Sequence, residues 1–189
     1  MKIGVLALQG AFREHRLMVE RCGVQAVEVR KPEQLADIDG LIIPGGESTT
    51  IGKLLNDWGL LEVIKTRAAA GMAIFGTCAG LILLAKDIVG SDQPRLGLMD
   101  IVAARNAFGR QRESFEADLQ VAELGDEPVR AVFIRAPQIE SAGPDVQVLA
   151  SVNDKAVIAR QGKLLVAAFH PELTTDDRLH RYFISMIAE

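Results

Sequence analysis

Cysteine is nearly absent from this chain: of 189 residues only Cys22 and Cys78 carry a thiol. Two thiols make no disulfide framework, and nothing in their placement points to an oxidising compartment. Aromatic residues are scarce, at 5%, so aliphatic Val, Ile, Leu and Ala have to fill the core. No apolar run is long enough to span a bilayer. The longest weakly polar stretch, residues 71–85, is interrupted by Gly76 and Gly80 and falls short of the ~20 residues a membrane helix needs. The apolar run at residues 3–8 begins like a signal peptide. It leads straight into Arg13, Glu14, His15 and Arg16 with no small-residue cleavage site, and reads as a first buried strand. Positive charge is not in excess: the formal net charge is -4, which argues against a general electrostatic grip on nucleic acid or anionic lipid. Only three histidines occur, His15, His170 and His180, and none sits with a second His or Cys at metal-ligand spacing. The expectation is a soluble, cytoplasmic protein that needs no metal, cofactor, nucleic acid or membrane.

What is present is ordinary for a globular domain: 49% apolar and 24% charged residues, with no repeat or linker, so residues 1–189 read as one domain. Short aliphatic runs at 3–8, 25–29, 41–44 and 72–75 alternate with helical spacing at 12–21 and 51–70, the latter broken near Trp58-Gly59, and another helix begins over 81–86. Strand–helix alternation predicts an α/β, doubly wound, mostly parallel central sheet flanked by helices. The second half differs. Strands expected at 101–107, 115–121, 129–134, 146–151, 156–161 and 164–169, with a hairpin at Gln161-Gly162, form an antiparallel extension, and a last helix covers 175–187.

The segment Ala73-Ile74-Phe75-Gly76-Thr77-Cys78-Ala79-Gly80-Leu81 reads as strand, Gly-x-Cys-x-Gly, then helix. That is a nucleophile elbow carrying cysteine. A sharp strand-to-helix turn lifts the central side chain off the sheet on a strained backbone, and small residues two before and two after avoid a clash. A helix N-terminus favours thiolate, and the Ala79 N–H then points where an oxyanion would form. A buried structural thiol is the commoner fate of a lone cysteine, but this setting favours a nucleophile. Cys22, before Gly23 at a helix end, needs no role beyond packing or surface exposure.

His170 ends an apolar strand and precedes Pro171-Glu172. Sites in doubly wound sheets form at the carboxyl ends of strands. Pro171 favours extended geometry before it, so residues two apart share a side and Glu172 falls beside His170. A carboxylate there would hold the imidazole tautomer and stabilise imidazolium. His15 and His180 fall on amphipathic helices and read as surface or partly packed residues.

Gly76-Thr77-Cys78-Ala79-Gly80 with His170-Pro171-Glu172 resembles the class I (triad) glutamine amidotransferases. Within them, the chain is similar to the glutaminase subunits of pyridoxal 5'-phosphate synthase. The blocks that carry this likeness are Leu8-Gln9-Gly10, Pro44-Gly45-Gly46-Glu47-Ser48-Thr49-Thr50, residues 105–111, Ser114-Phe115-Glu116-Ala117-Asp118-Leu119 and Phe133-Ile134-Arg135-Ala136-Pro137. The resemblance implies hydrolysis of L-glutamine to L-glutamate and ammonia by Cys78, His170 and Glu172. It implies glutamine binding by Gly46, Glu47, Ser48, Arg105, Ile134 and Arg135, and an oxyanion hole from Ala79 with Gly45 or Gly46. It also implies a partner, a (β/α)8-barrel synthase subunit that receives the ammonia, with residues 105–111 and 114–119 as candidates for the docking face. Because the Gly45-Gly46 loop is glycine-rich, weak activity alone and activation on docking are expected.

Three other readings stay open on the sequence. A glutaminase subunit of another biosynthesis, such as imidazole glycerol phosphate synthase, would carry the same triad. A cysteine hydrolase or protease of similar architecture would act without a partner. A non-catalytic interaction module would have no chemical reason to keep all three triad residues.

Overall fold

A computed structural model describes residues 1–105 and 114–189. The elements run, in order, β1 (Lys2–Leu6), α1 (Phe12–Arg21), β2 (Gln25–Val29), β3 (Gly40–Ile43), α2 (Ser48–Asp57), α3 (Leu60–Ala69), β4 (Ala73–Thr77), α4 (Ala79–Leu84) and β5 (Ala85–Ile88). They continue with β6 (Met99–Ala104), β7 (Ser114–Leu119), β8 (Val129–Ile134), β9 (Gln138–Ala142), β10 (Gln147–Val152), β11 (Lys155–Gln161), β12 (Leu164–Ala167) and α5 (Arg178–Ala188).

Among the described residues the main sheet holds ten strands in the order β2-β1-β3-β4-β12-β11-β9-β6-β5, with β10 added on β11. From β2 to β12 every pairing is parallel, whereas β11 is antiparallel to β12, β10 and β9, and β6 to β9. The parallel core with an antiparallel extension is therefore as the sequence predicts. Strands covered on both faces must be apolar throughout, and every residue of β3 and β4 is buried. β7 and β8 form a separate antiparallel ribbon anchored by Phe115 stacked on Phe133, ring centroids 4.5 Å apart.

Helical spacing over 51–70 resolves into α2 and α3, split at Gly59 with φ +69°, a left-handed value that glycine adopts freely. The turn Gly162-Lys163 closes the β11–β12 hairpin, Gln161 facing Leu164. Two expectations need correction, and one strand is additional to them. The helix expected over 81–86 begins at Ala79 and ends at Leu84, because Ala85 turns extended to pair with Met99. Residues 138–142 form a strand, although only Ile139 among them is buried and the alternation is too polar to stand out. The final helix begins at Arg178, since the Asp176 carboxylate accepts from the Arg178 backbone N–H at 3.1 Å and ends the preceding turn there. Among the described residues no helix is long and apolar enough to cross a membrane.

Candidate active site

The site is built by strand register. β4 and β12 are parallel neighbours with Thr77 level with Ala167, so their carboxyl ends finish together. Cys78 follows one strand directly, and its N–H donates to the Ala167 carbonyl at 2.8 Å. His170 lies three residues past the other, tied by its own N–H to the Val132 carbonyl of β8 at 2.8 Å. On the opposite side of β4, Ile43 of β3 is level with Gly76, which sets Gly45-Gly46 beside the same strand end.

Cys78 has φ +48° and ψ -102°. A non-glycine residue there is strained and is held only by the surrounding structure. The surroundings explain the glycines: a Cβ on Gly76 would lie 2.6 Å from Gly80 backbone, and one on Gly80 would lie 2.2 Å from the Ile43 carbonyl. Both would force the turn open.

His170 Nδ1 and Glu172 Oε1 are 2.7 Å apart, and both residues are buried. Burial alone would push the imidazole toward its neutral form. Hydrogen bonding to Cys78 and to the Glu172 carboxylate outweighs it, and the His170 pKa is raised to about 10. With Nδ1 occupied by the carboxylate, Nε2 is the nitrogen left for the thiol. Glu172 is buried too, which would favour its neutral form, yet His15 and His170 hold it ionised, below the ordinary carboxylate value. Burial raises the Cys22 thiol instead, with Asp177 adding to the effect.

A cavity of about 670 Å³ opens above these groups. Gly46, Glu47, Ser48, Arg105, Ile134 and Arg135 line it together with Cys78, Ala79 and His170. Gly45, which abuts the imidazole, and the buried Glu172 are not part of the cavity lining. Arg135 has φ +43°. It shares the cavity with Arg105 and Glu47, so two guanidinium groups and one carboxylate are available for a zwitterion. A Cβ on Gly45 would stand 2.4 Å from His170 Cε1 and 3.3 Å from Cys78 Cβ. Gly45→Ala is therefore expected to displace the imidazole and cut turnover by about a hundredfold, the scale of a 1 Å misplacement, while circular dichroism and melting stay near wild type. Turnover within twofold of wild type would contradict this geometry.

Sequence reasoning missed several participants. Gln9 also lines the cavity, and its Oε1 accepts from the Glu47 N–H at 2.8 Å while Ala11 N–H donates to the Gly45 carbonyl at 3.0 Å. The loop after β1 thus clamps the glycine loop. Gln93 accepts from Ser48 Oγ at 3.3 Å and from Arg105 at 3.4 Å, and nothing in residues 91–95 signals it. His15 and His180 require a correction: neither is at the surface, and both are fully buried. His15 spans α1 to the site, with Nε2 3.3 Å from Glu172 Oε2 and 3.0 Å from Thr77 Oγ1, and Nδ1 2.9 Å from His180 Nε2. The recurrence of buried Met18 and Val19 three and four residues after His15 was the available signal, since it puts His15 on the inward face. Among the described residues no three His, Cys, Asp or Glu side chains are grouped to hold a metal ion.

The family model of the SNO glutamine amidotransferases matches residues 5–189. The chain belongs to the SNO glutamine amidotransferase family. Among relatives of this SNO-family chain, a pyridoxal 5'-phosphate synthase subunit PdxT from Carboxydothermus hydrogenoformans is 63% identical over 189 residues, covering 100% of this chain and 99% of that protein. A PdxT of Pelotomaculum thermopropionicum is 65% identical, covering 97% and 94%. A crystal structure described as a glutamine amidotransferase superposes with a TM-score of 0.94 at 53% identity over 99% of each chain. A chain in the structure of PurLQS from Thermotoga maritima, at 17% identity and a TM-score of 0.75 over 97% of each chain, shares the fold. Of the SNO-family chain's two expected docking segments, Ser114–Leu119 is β7 of the outer ribbon. In the other, 105–111, residues after Arg105 lie outside the described residues.

Proposed function

We propose that residues 1–189 form a single glutaminase domain acting through Cys78, His170 and Glu172. The chain hydrolyses L-glutamine to L-glutamate and ammonia and delivers the ammonia to a pyridoxal 5'-phosphate synthase subunit, a (β/α)8 barrel. The observation that carries the site assignment is the meeting of the three side chains under one cavity, with His170 on Glu172 at 2.7 Å and hydrogen-bonded to Cys78.

The chemistry follows from the placement. In the cavity, Glu47 suits the α-ammonium of glutamine and Arg105 and Arg135 its α-carboxylate, so the side-chain amide reaches Cys78. The thiolate attacks the amide carbon, and the oxyanion is met by the Ala79 N–H and a glycine-loop amide. The Gly45 carbonyl is bonded outward to Ala11, and in a trans peptide that leaves the Gly46 N–H on the other side. Imidazolium at His170 gives its proton to the amide nitrogen, the C–N bond breaks, and ammonia leaves a γ-glutamyl thioester. A water then adds as His170 takes its proton, and the thiolate departs. Glu172 keeps the imidazole oriented and offsets its charge throughout. Released into water near neutrality, ammonia is mostly ammonium and not nucleophilic, so shielded delivery has a physical purpose. We place the protein in the cytoplasm, where such a biosynthesis would run.

Ammonia release from glutamine, assayed with and without the synthase and beside a peptide substrate, tests this reading. Glutamine turnover that rises on docking, with no peptide cleavage, is expected. Equal turnover with and without the synthase would count against docking activation, and peptide cleavage without ammonia release would overturn the assignment.

A further inference from the structure

Beneath the cavity lies a polar cluster that the triad alone does not explain. His15 of α1, Thr77 of β4 and His180 of α5 are each fully buried, with both imidazoles edge-on to Phe75. Polar groups in such a place cost stability unless paired, and aliphatic side chains could fill the same space. The cluster meets the triad at one atom. Glu172 commits Oε1 to His170. Its Oε2 is sealed from solvent without an in-line hydrogen bond; His15 Nε2 stands 3.3 Å from it, and the residue's own backbone N–H also supports the carboxylate.

That contact fixes the tautomers. A carboxylate beside Nε2 repels a ring lone pair and favours N–H, so His15 carries its proton there, donating to Thr77 Oγ1 at 3.0 Å with Oε2 flanking. His15 Nδ1 is then an acceptor, and His180 Nε2–H donates to it at 2.9 Å. The consequence is an unprotonated His180 Nδ1, and that atom is buried without a partner.

We propose that His15, backed by His180, is a positioning residue for glutamine hydrolysis: its Nε2–H steadies the outer oxygen of Glu172, so that the inner oxygen stays on His170. This rests on the triad reading given above. Burial lowers the pKa of His15 and, with His15 alongside, takes His180 well below the ordinary value. Both rings are thus neutral near pH 7. A neutral dipole steadies the carboxylate without competing with imidazolium for its charge. The titratable groups facing this cluster are Glu14 on α1 and His170 and Glu172 after β12, together with the two histidines themselves.

The test compares His15→Leu, His15→Asn and His15→Gln in the complex with saturating synthase, following kcat, KM and the pH profile of kcat/KM. A glutamine side chain can set its amide nitrogen near the Nε2 position, whereas the shorter asparagine cannot. The Leu and Asn variants are expected to lose about ten- to a hundredfold in kcat, with KM within twofold and the basic limb moved to lower pH; the Gln variant recovers most of both. Should the Leu variant fail to fold, the Asn–Gln pair decides. Wild-type kcat and limb in the Asn variant, or a Gln variant as impaired as Asn, would overturn the proposal. His170→Asn is the control: if it keeps turnover and the basic limb, the triad reading fails instead.

Discussion

Cys78→Ala is expected to abolish glutamine hydrolysis, by at least about a thousandfold, while barely changing the fold or docking to the synthase. Losing a nucleophile removes the covalent path altogether, and what remains is binding and the oxyanion donors. The structural cost is small for two reasons. Only one buried sulfur is deleted, and alanine at φ +48° suffers the same backbone strain that cysteine already bears. A melting temperature within about 4 °C of wild type is expected for a domain of this size, and loss of turnover with a normal melt is the required pairing. A Cys78→Ala protein that still releases ammonia would remove the nucleophile from the scheme.

Glu172→Gln is the second large effect, expected to lower kcat about 10³–10⁴-fold, as amide replacement of a triad carboxylate does elsewhere. Its diagnostic signature is in the pH profile. His170 titrates at about 10 because hydrogen bonds to Cys78 and Glu172 outweigh its burial. Without the carboxylate, burial is opposed by less, and the imidazole loses its proton at lower pH. The basic limb of kcat/KM should therefore move toward neutrality. Stability follows the same signs. The raised His170 contributes fully below its unfolded value of 6.5 and is lost as pH rises through about 10. The lowered Glu172 contributes above 4.5 and is lost as pH falls through its folded value. Melting temperatures of wild type should sag at both ends, and the Glu172→Gln variant should lose the acid-side sag from this group. A basic limb unchanged in Glu172→Gln would separate the carboxylate from the imidazole's protonation.

Much of this was legible in residues alone. The elbow shows itself because the backbone demands Gly76 and Gly80 around Cys78, and a steric demand leaves a fixed spacing. His170 shows itself because an apolar strand must end where sites form. Gly45 and Gly46 are visible as glycines, but the reason for Gly45 is the His170 ring against it, which no local pattern encodes. Long-range pairing hid the rest. β9 has little apolar alternation because it borrows its place from β6 and β11. Gln93 contributes through partners 45 and 12 residues away. Helical patterning counts histidine as polar, so it places His15 and His180 at the surface or only partly packed, and the 165 residues between them hide their contact. A buried polar pair is visible only once the helices that carry it are packed.

The ladder between β4 and β12 also acts as a ruler. Neighbouring strands in any sheet lie about 4.8 Å apart, and here that spacing sets how far the thiol's strand is from the imidazole's. Drift in the surrounding apolar side chains can be absorbed without retuning the chemistry, provided Thr77 stays level with Ala167. A slip of one residue would carry Ala167, from which the chain leads to His170, about 3.3 Å along the strand and turn it to the opposite face. The enzyme would keep nearly all of its core and none of its reaction.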